Sequence, residues 1–370
     1  MRFFFSLVIM AIFLVVLIGG TIYMARRLHV AFPQVSYKTL LWTLSAILLL
    51  VFVAMLSLST TANFAGQILF CLASLLVGYL LYFLLSLLVV DLVNLVVAFS
   101  PRLNGIMSLS LAGLVVIYGI WHASVPLVKE VEIPLRGLAK EVRAVQLTDV
   151  HLGHFRGQRH VRRMVDKVQE LNPEVIFHTG DLFDARSRLQ QEVLNPLTEI
   201  TVPHYFVEGN HDNYVGAAEV FALARNAGLI VLENEVASFG ELQIVGLKHM
   251  LADKESFDMH APEEGKTVKE VLAEMEIDAE KPTIMLHHSP DGVAYAQEKK
   301  IDLLLAGHTH GGQVFPLTLA AKFLFGYNRG IYAYQDLAIY VSDGVGTMFA
   351  PMRVGTHSEI TLLRLVPADR

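Results

Sequence analysis

The stretch Leu303-Leu-Leu-Ala-Gly-His-Thr-His-Gly-Gly-Gln313 decides how the rest of the chain is read. Four apolar residues in a row suit a strand buried on both faces. The run stops at Gly307, and His308 and His310 follow one residue apart. Glycine at 307, 311 and 312 lets the backbone turn where a side chain would resist. Two imidazoles at the mouth of a buried strand matter only if other strand ends supply partners.

Upstream, Val142–Leu147 reads as a first strand and runs into Thr148-Asp-Val-His151. A helix follows, with Val161, Met164, Val165, Val168 and Leu171 at helical spacing, stopped by Asn172-Pro173. A strand at Val175–Phe177 then leads to Gly180-Asp-Leu-Phe-Asp184, and one at Tyr205–Val207 to Gly209-Asn-His-Asp212. Ala217–Ala227 and Val268–Met275 read as helices, and Leu242–Val245 as a strand. Thr283–Leu286 reads as a strand that ends in His287-His-Ser-Pro290. Ile331–Leu365 is richer in strand pattern than in helix. Alternating elements predict an α/β layered domain. Five strand ends each deliver metal-binding side chains, and in α/β folds ligands collect at the carboxyl ends of strands.

The segment before this domain is different in kind. Hydrophobic residues make up 54% of the 370 and charged residues 17%, and the apolar excess lies ahead of about Val125. Four stretches approach the ~20 residues that cross a bilayer. They run from Phe3 to Met24, Leu40 to Leu58, Ala65 to Val90 and Ile106 to Trp121, the last being the shortest. Arg2 ahead of an apolar core is like a secretory leader, but no small-x-small cleavage site follows, so a retained helix is expected. The chain thus divides into an all-α membrane region over 1–125, a connector over 126–141 and an α/β domain over 142–370.

The loop after the first span carries Arg26, Arg27 and Lys38, and the loop after the third carries Arg102. The opposite side has Arg2, almost nothing between Ser59 and Asn63, then Lys129 and Arg136. By a margin of one or two charges, the excess puts the first loop in the cytoplasm and both termini, with the α/β domain, outside. The single cysteine, Cys71, lies in the third span, so no disulfide forms within the chain. A net charge of −6 argues against a nucleic-acid groove.

Asp, His and Asn without cysteine form an oxygen and nitrogen donor set, suited to Mn, Fe or Zn. The set exceeds what one ion needs. Two divalent ions ~3.5–4 Å apart, sharing a carboxylate, would use it whole and form a clamp for phosphoryl transfer. A water bridging the pair would lose a proton near neutral pH and become the nucleophile. A histidine outside the ligand set would protonate the leaving oxygen or stabilise its charge.

These motifs resemble those of the calcineurin-like metallophosphoesterase superfamily: D-x-H, G-D-x-x-D, G-N-H-D, H and G-H-x-H. All five stand in order over Asp149 to His310. The tail, Gly312-Gln313 through Gly344-Val-Gly346 and Met352-Arg353, is similar to the membrane-associated or exported branch that includes the YaeI- and YkuE-like phosphoesterases. The resemblance implies a layered sandwich of two central β-sheets flanked by helices. It implies a first ion on Asp149, His151 and His310, a second on Asn210, His288 and His308, and Asp181 bridging the two. His211 would be the general acid or transition-state contact, oriented by Asp184 or Asp212. His288 rather than His287 is implied because the ligand falls two residues before the proline, Pro290.

Other polar residues have plainer expectations. His178 is expected as a hydrogen-bonded core histidine, and His154, His160 and His204 as loop or surface residues. Asp212 is expected to brace its loop or to act directly. His249, after Lys248, faces the substrate pocket or solvent. Arg156, Arg159, Arg162 and Arg163 form either a solvated helix face or a contact for phosphate or a lipid headgroup.

The sequence therefore predicts an integral membrane hydrolase cleaving a phosphomonoester, phosphodiester or phosphoanhydride, with the anchor pointing to a lipid-linked substrate. The competing reading is a catalytically inactive membrane scaffold or sensor that keeps the fold. A lost ligand would favour it, and none is missing. A transporter is disfavoured because the spans carry almost no charge beyond Asp91.

Overall fold

A computed structural model describes residues 2–58, 63–256 and 265–368. The uncharged loop at 59–62, which entered the orientation count, lies outside the described residues, as do 369–370 at the end of the α/β domain.

The helical unit consists of α1 (Arg2–Ala31), α2 (Tyr37–Leu58), α3 (Phe64–Val93) and α4 (Pro101–Ser124). All four are long and apolar enough to cross a membrane. The fourth, expected as the shortest, has 24 residues, or ~36 Å of rise against a hydrocarbon layer of ~30 Å. Only 11% of the apolar window in α2 is buried, with Trp42, Leu49, Phe52 and Leu56 exposed. A water-soluble bundle would bury such faces, whereas a bilayer solvates them. Asp91 of α3 pairs with Arg27 and accepts from Tyr23, both on α1, so this intramembrane charge has its counter-ion within the unit. Arg26 and Arg27 lie inside α1 rather than in a loop, which removes one uncompensated charge from the orientation count.

The α/β unit is built on two six-stranded sheets. The strands are β1 (Leu127–Leu135), β2 (Val142–Leu147), β3 (Val175–Thr179), β4 (His204–Val207), β5 (Ile230–Val231), β6 (Glu235–Phe239), β7 (Leu242–Gly246), β8 (Thr283–Leu286), β9 (Leu303–Ala306), β10 (Gly330–Tyr334), β11 (Leu337–Val341) and β12 (Glu359–Pro367). One sheet runs β1-β12-β2-β3-β4-β5 and the other β10-β11-β9-β8-β7-β6. β2 to β5 are mutually parallel, as are β7, β8, β9 and β11. Parallel ladders align carboxyl ends, so each sheet presents its loops along one edge.

Side chains alternate across each strand. Phe177, Tyr205, Ile244, Ile284, Leu303, Leu305 and Leu363 form a core between the sheets. Ile176, Phe206, Met164, Val165 and Phe221 form a second core under the helices of the first sheet. Met285, Leu304, Ile339, Val271 and Ala296 do the same for the other sheet. This is the layered sandwich with flanking helices.

Residues 126–141, expected as a connector, instead contribute β1, which pairs with β12 over Leu127–Leu135. Val131, Ile133 and Leu135 alternate with Glu130, Glu132 and Pro134, the pattern of an edge strand with one buried face. Pro134 is tolerated because an edge strand need not donate on its outer side. The high charge of the segment hid the period of two.

His204 is buried, not superficial, and so is His178; their rings stack with centroids 5.7 Å apart in the outer core. Neither has a hydrogen-bond partner among the described residues, which corrects the expectation for His178. Burial pushes His178 down to about 3, the nearby Asp149 only partly opposing it, and pushes His204 well below its ordinary value. Both therefore stay neutral in the fold, while the unfolded chain protonates them below ~6.5. Between about 3 and ~6.5 the unfolded state binds more protons, so stability falls as pH falls. The expected loss from His178 is about 1.4 kcal/mol per pH unit in that window. Urea melts from pH 7 to 4.5 should show a shallower pH slope for His178→Leu than for wild type; equal slopes would refute this.

Candidate metal centre

The carboxyl ends of β2, β3 and β4 in one sheet and of β8 and β9 in the other meet at one place. They supply Asp149 and His151, Asp181, Asn210 and His211, His288, and His308 and His310 in that order. Five of these residues lie in the left-handed region: Asp149 (φ 53°), His151 (50°), Asp181 (55°), His308 (71°) and His310 (50°). Non-glycine residues rarely adopt it, and the cost is held by surrounding structure where function demands it. Here the hydrogen bonds Asp149 N–H to Gly180 C=O (3.0 Å), His151 N–H to Asp181 C=O (3.0 Å) and His308 N–H to Asp149 Oδ2 (3.1 Å) fix the turns. Gly209 could carry no side chain, since a Cβ there would stand 2.0 Å from Asp181 Oδ1 and 2.6 Å from the Asp181 backbone nitrogen.

Asp149, His151 and His310 form one group able to hold a metal ion, and Asp149, Asp181 and His288 another. In the first, His310 Nε2 is 3.3 Å from Asp149 Oδ1 and 3.0 Å from His151 Nε2. Asp181 Oδ2 lies 3.6 Å from His151 Nε2 and 3.2 Å from His288 Nε2. His308 Nδ1 is 3.0 Å from Asn210 Oδ1, and its ring packs edge-on to His288 with centroids 5.1 Å apart. All seven donors named from the sequence come together.

The protonation pattern tests whether this set suits a cation. His288 Nδ1 faces the Thr179 carbonyl at 2.7 Å. A carbonyl only accepts, so Nδ1 carries the proton and Nε2 offers a lone pair to the interior. That lone pair confronts a carboxylate oxygen, and Asp149 Oδ1 and His288 Nε2 are buried without a hydrogen-bond partner among the described residues. Donor atoms crowded this closely repel unless positive charge lies among them, so the set fits a cation. Besides Arg353, which lies against the outer nitrogen of His310, the charge the chain can place there is protons. Burial opposes protonation of His288, but the nearby Asp181 carboxylate outweighs it and raises the group to about 9. His151 is likewise raised to about 10, burial being overcome by Asp149 and Asp184.

His211 stands at the rim, partly exposed, with Nδ1 2.6 Å from Asp184 Oδ1. Burial would raise the Asp184 carboxyl, but the adjacent imidazoles of His151 and His211 hold it well below the usual range. Asp212 does not contact His211 in this way. It accepts from the backbone N–H groups of Gly209 (2.9 Å), Phe183 (3.0 Å) and Leu182 (3.2 Å), bracing two ligand-bearing loops against each other. Of the two carboxylates expected to orient His211, Asp184 is the one that meets its ring.

His287 turns away, Nδ1 against the Ser289 carbonyl at 2.7 Å. His249 is buried, its ring 5.6 Å from His288 and 5.7 Å from His308. It follows β7, whose carboxyl end shares an edge with β8 and β9, and that register was the one sequence signal for it. Arg156 is buried and donates to Thr347 Oγ1 at 2.8 Å, whereas Arg162 pairs with exposed Glu199. The arginine cluster thus splits into one interior residue and a solvated face. Arg353 is fully buried; it donates to the carbonyls of His310 and Gly346 and lies 3.2 Å from His310 Nδ1. Nothing in its spacing announced that position.

Two packed sheets that gather oxygen and nitrogen donors at their shared strand ends define a layered α/β metalloprotein. The calcineurin-like phosphoesterase family matches residues 142–312. The chain is 30% identical over 234 residues to an uncharacterized metallophosphoesterase of Aquifex aeolicus, covering 61% of this chain and 85% of that protein. It is 33% identical over 276 residues to a transmembrane protein with metallophosphoesterase domain of Danio rerio, covering 71% and 63%. It is 28% identical over 235 residues to the phosphodiesterase YaeI of Escherichia coli, covering 60% and 80%. The chain spans just under two thirds of the length of its longer curated relatives. It belongs to the calcineurin-like metallophosphoesterase family.

Proposed function

We propose that the chain is a membrane-anchored phosphoesterase that works with two divalent cations, Mn, Fe or Zn. The observation that carries this reading is Asp181, one of whose oxygens borders both His151 (3.6 Å) and His288 (3.2 Å). Asp149, His151 and His310 would hold one cation and Asn210, His288 and His308 the other, with Asp181 available to both. When bound, the cations neutralise phosphoryl oxygens and make water nucleophilic near neutral pH. His211 lies outside these two groups and joins His151 and Asp184 in a third at the rim. With Nδ1 committed to Asp184, its Nε2 is the atom that gives a proton to the leaving oxygen.

A lipid-linked phosphoester is the substrate class we favour. α4 ends at Ser124 and β1 begins at Leu127, so the α/β unit is tethered within a few residues of a span. The helix Leu317–Leu324, just after the His310 loop, exposes Leu317, Leu319, Phe323 and Leu324. Lipid extracts from cells lacking the protein should accumulate a phosphorylated species; unchanged extracts would count against this. We assign the catalytic unit to the extracytoplasmic side from the Arg26 and Lys38 charges that remain on the first loop and its flanks. A cysteine replacing exposed Val236 should react with an impermeant maleimide on intact cells, and protection until lysis would reverse the assignment.

The purified full chain with Mn²⁺ should hydrolyse an aryl phosphodiester. Chelation should remove that turnover and Mn²⁺ restore it, with two ions per chain by elemental analysis. A saturated chain holding one ion or none, without turnover, would support the scaffold or sensor reading.

A further inference from the structure

Five large apolar side chains stand exposed within ten residues of the α/β unit: Phe315, Leu317, Leu319, Phe323 and Leu324, with Phe323 89% exposed. Apolar residues scattered singly over a surface need no account, but a group gathered on one element does. These come from the helix Leu317–Leu324 and the turn that leads into it. Leu319 and Phe323 are four residues apart, and Leu317 and Leu324 seven, so each pair shares a side of the helix. Ala321 is buried, and Thr318 and Phe325 are half-buried. The helix thus keeps a small apolar residue inside and turns its large ones outward, the reverse of an amphipathic helix that packs on a core in water.

Two further observations bear on what covers this face. Between Gly311 and Asp336 the sequence carries Lys322 and Arg329 and no Asp or Glu, in a chain of net charge −6. Basic residues beside an exposed apolar face suit the surface of an anionic bilayer. The second observation is continuity of the chain. Phe349–Met352 belong to the helical unit, where a Cβ on Gly78 of α3 would stand 2.5 Å from Met352 Sδ. Residues on either side of that segment are bonded to the stretch that enters the exposed helix. Met348 N–H donates to Gln313 Oε1 at 2.7 Å, and Phe315 N–H donates to the Val354 carbonyl at 2.8 Å.

We infer that the helix Leu317–Leu324 is an interfacial helix, its outward face seated in the headgroup layer of the bilayer that α1–α4 span. Leu319 and Phe323 reach the acyl boundary, and Lys322 meets lipid phosphates. So short a helix would not by itself hold a soluble protein on a membrane. Here the spans supply the anchoring, and the helix has only to set the orientation of the unit that carries it. It runs directly into Phe325, whose ring meets His308 edge-on with centroids 5.9 Å apart, so the same seat sets where the His308 loop stands. The inference rests on reading α1–α4 as spans and is independent of turnover.

The test uses the full chain with Cys71→Ser, in nanodiscs of phosphatidylcholine and phosphatidylglycerol that hold one chain each. A single nitrobenzoxadiazole label is placed on Phe323→Cys, on Val236→Cys in β6 or on Leu50→Cys in α2, all exposed positions. The label at 323 should emit at a shorter wavelength than that at 236. Lipids spin-labelled high on the acyl chain should remove at least about half of its intensity, as expected for a residue seated at the acyl boundary, and little of that at 236. Phosphatidylcholine alone, or Lys322→Glu, should weaken the quenching at 323; quenching indifferent to both would overturn the contact with anionic headgroups. Quenching at 50 without quenching at 323 would overturn the interfacial helix alone, and quenching at neither would overturn the spans with it. A blue shift at 323 that needs two chains per disc, without quenching, would make this face a contact between copies and overturn the seat.

Discussion

Asp181→Ala is expected to lower kcat/KM on an aryl phosphodiester by at least about 100-fold and to cut the metal content below two ions per chain. Changes in groups that merely orient a ligand already cost roughly 10- to 100-fold, and Asp181 borders both donor groups directly. Its other oxygen accepts from the His211 backbone N–H at 2.9 Å, so the carboxylate also ties the third motif to the second. Asp181→Asn separates the two contributions. The amide keeps that backbone acceptor but loses the charge, so the site should retain its shape and still fail to hold both ions. Burial and Asp181 together raise the Asp212 carboxyl to about 6, which registers how crowded this region is with negative charge. Removing one carboxylate should therefore leave the metal-free chain as stable as before, or more so, as is common where a site trades stability for function. Two ions per chain and wild-type turnover in Asp181→Ala would end the two-cation reading.

His211→Ala is expected to behave differently. Metal content should stay at the wild-type level, because none of the close donor contacts around Asp181 involves its side chain; kcat should fall by about 10²- to 10⁴-fold, the range for a lost general acid. Asp184→Asn should cost less, roughly 10- to 100-fold, since it disturbs a ring it orients rather than removing it. The leaving group decides between protonation and simple packing. A nitrophenolate needs little help in departing, whereas an alkoxide needs a proton, so the loss should grow from nitrophenyl to alkyl esters. A loss that is the same for both would assign His211 to substrate binding rather than to proton transfer.

The legible parts of the site are those that a strand end carries in a few residues. A hydrophobic run that ends in a donor at positions 147–151, 179–184, 207–212 and 303–310, with a glycine before the donor in the last three, is a local signal, and each of those donors sits where its strand stops. That His287 and His288 face opposite sides has a local basis too, because adjacent residues on a strand alternate; it was the resemblance that selected His288. Asp184 against Asp212 could not be chosen that way. Both are acidic and close in sequence to a ligand, and only the packing of two loops shows that one meets an imidazole and the other three backbone N–H groups. His204 and Arg353 were illegible for a related reason, and His249 was left between pocket and solvent: burial of a polar residue depends on what a distant segment lays over it.

The amino-acid order alone determined that an apolar helical region precedes an α/β domain, and which side chains stand at the carboxyl ends of its strands. Those are consequences of periodicity and composition, which act over a few residues. Only the tertiary structure decided that β1 completes the sheet and that Asp181 borders both donor groups. Each of these depends on distances between residues far apart in the chain, and such distances exist only once two sheets have packed and expelled the water between them.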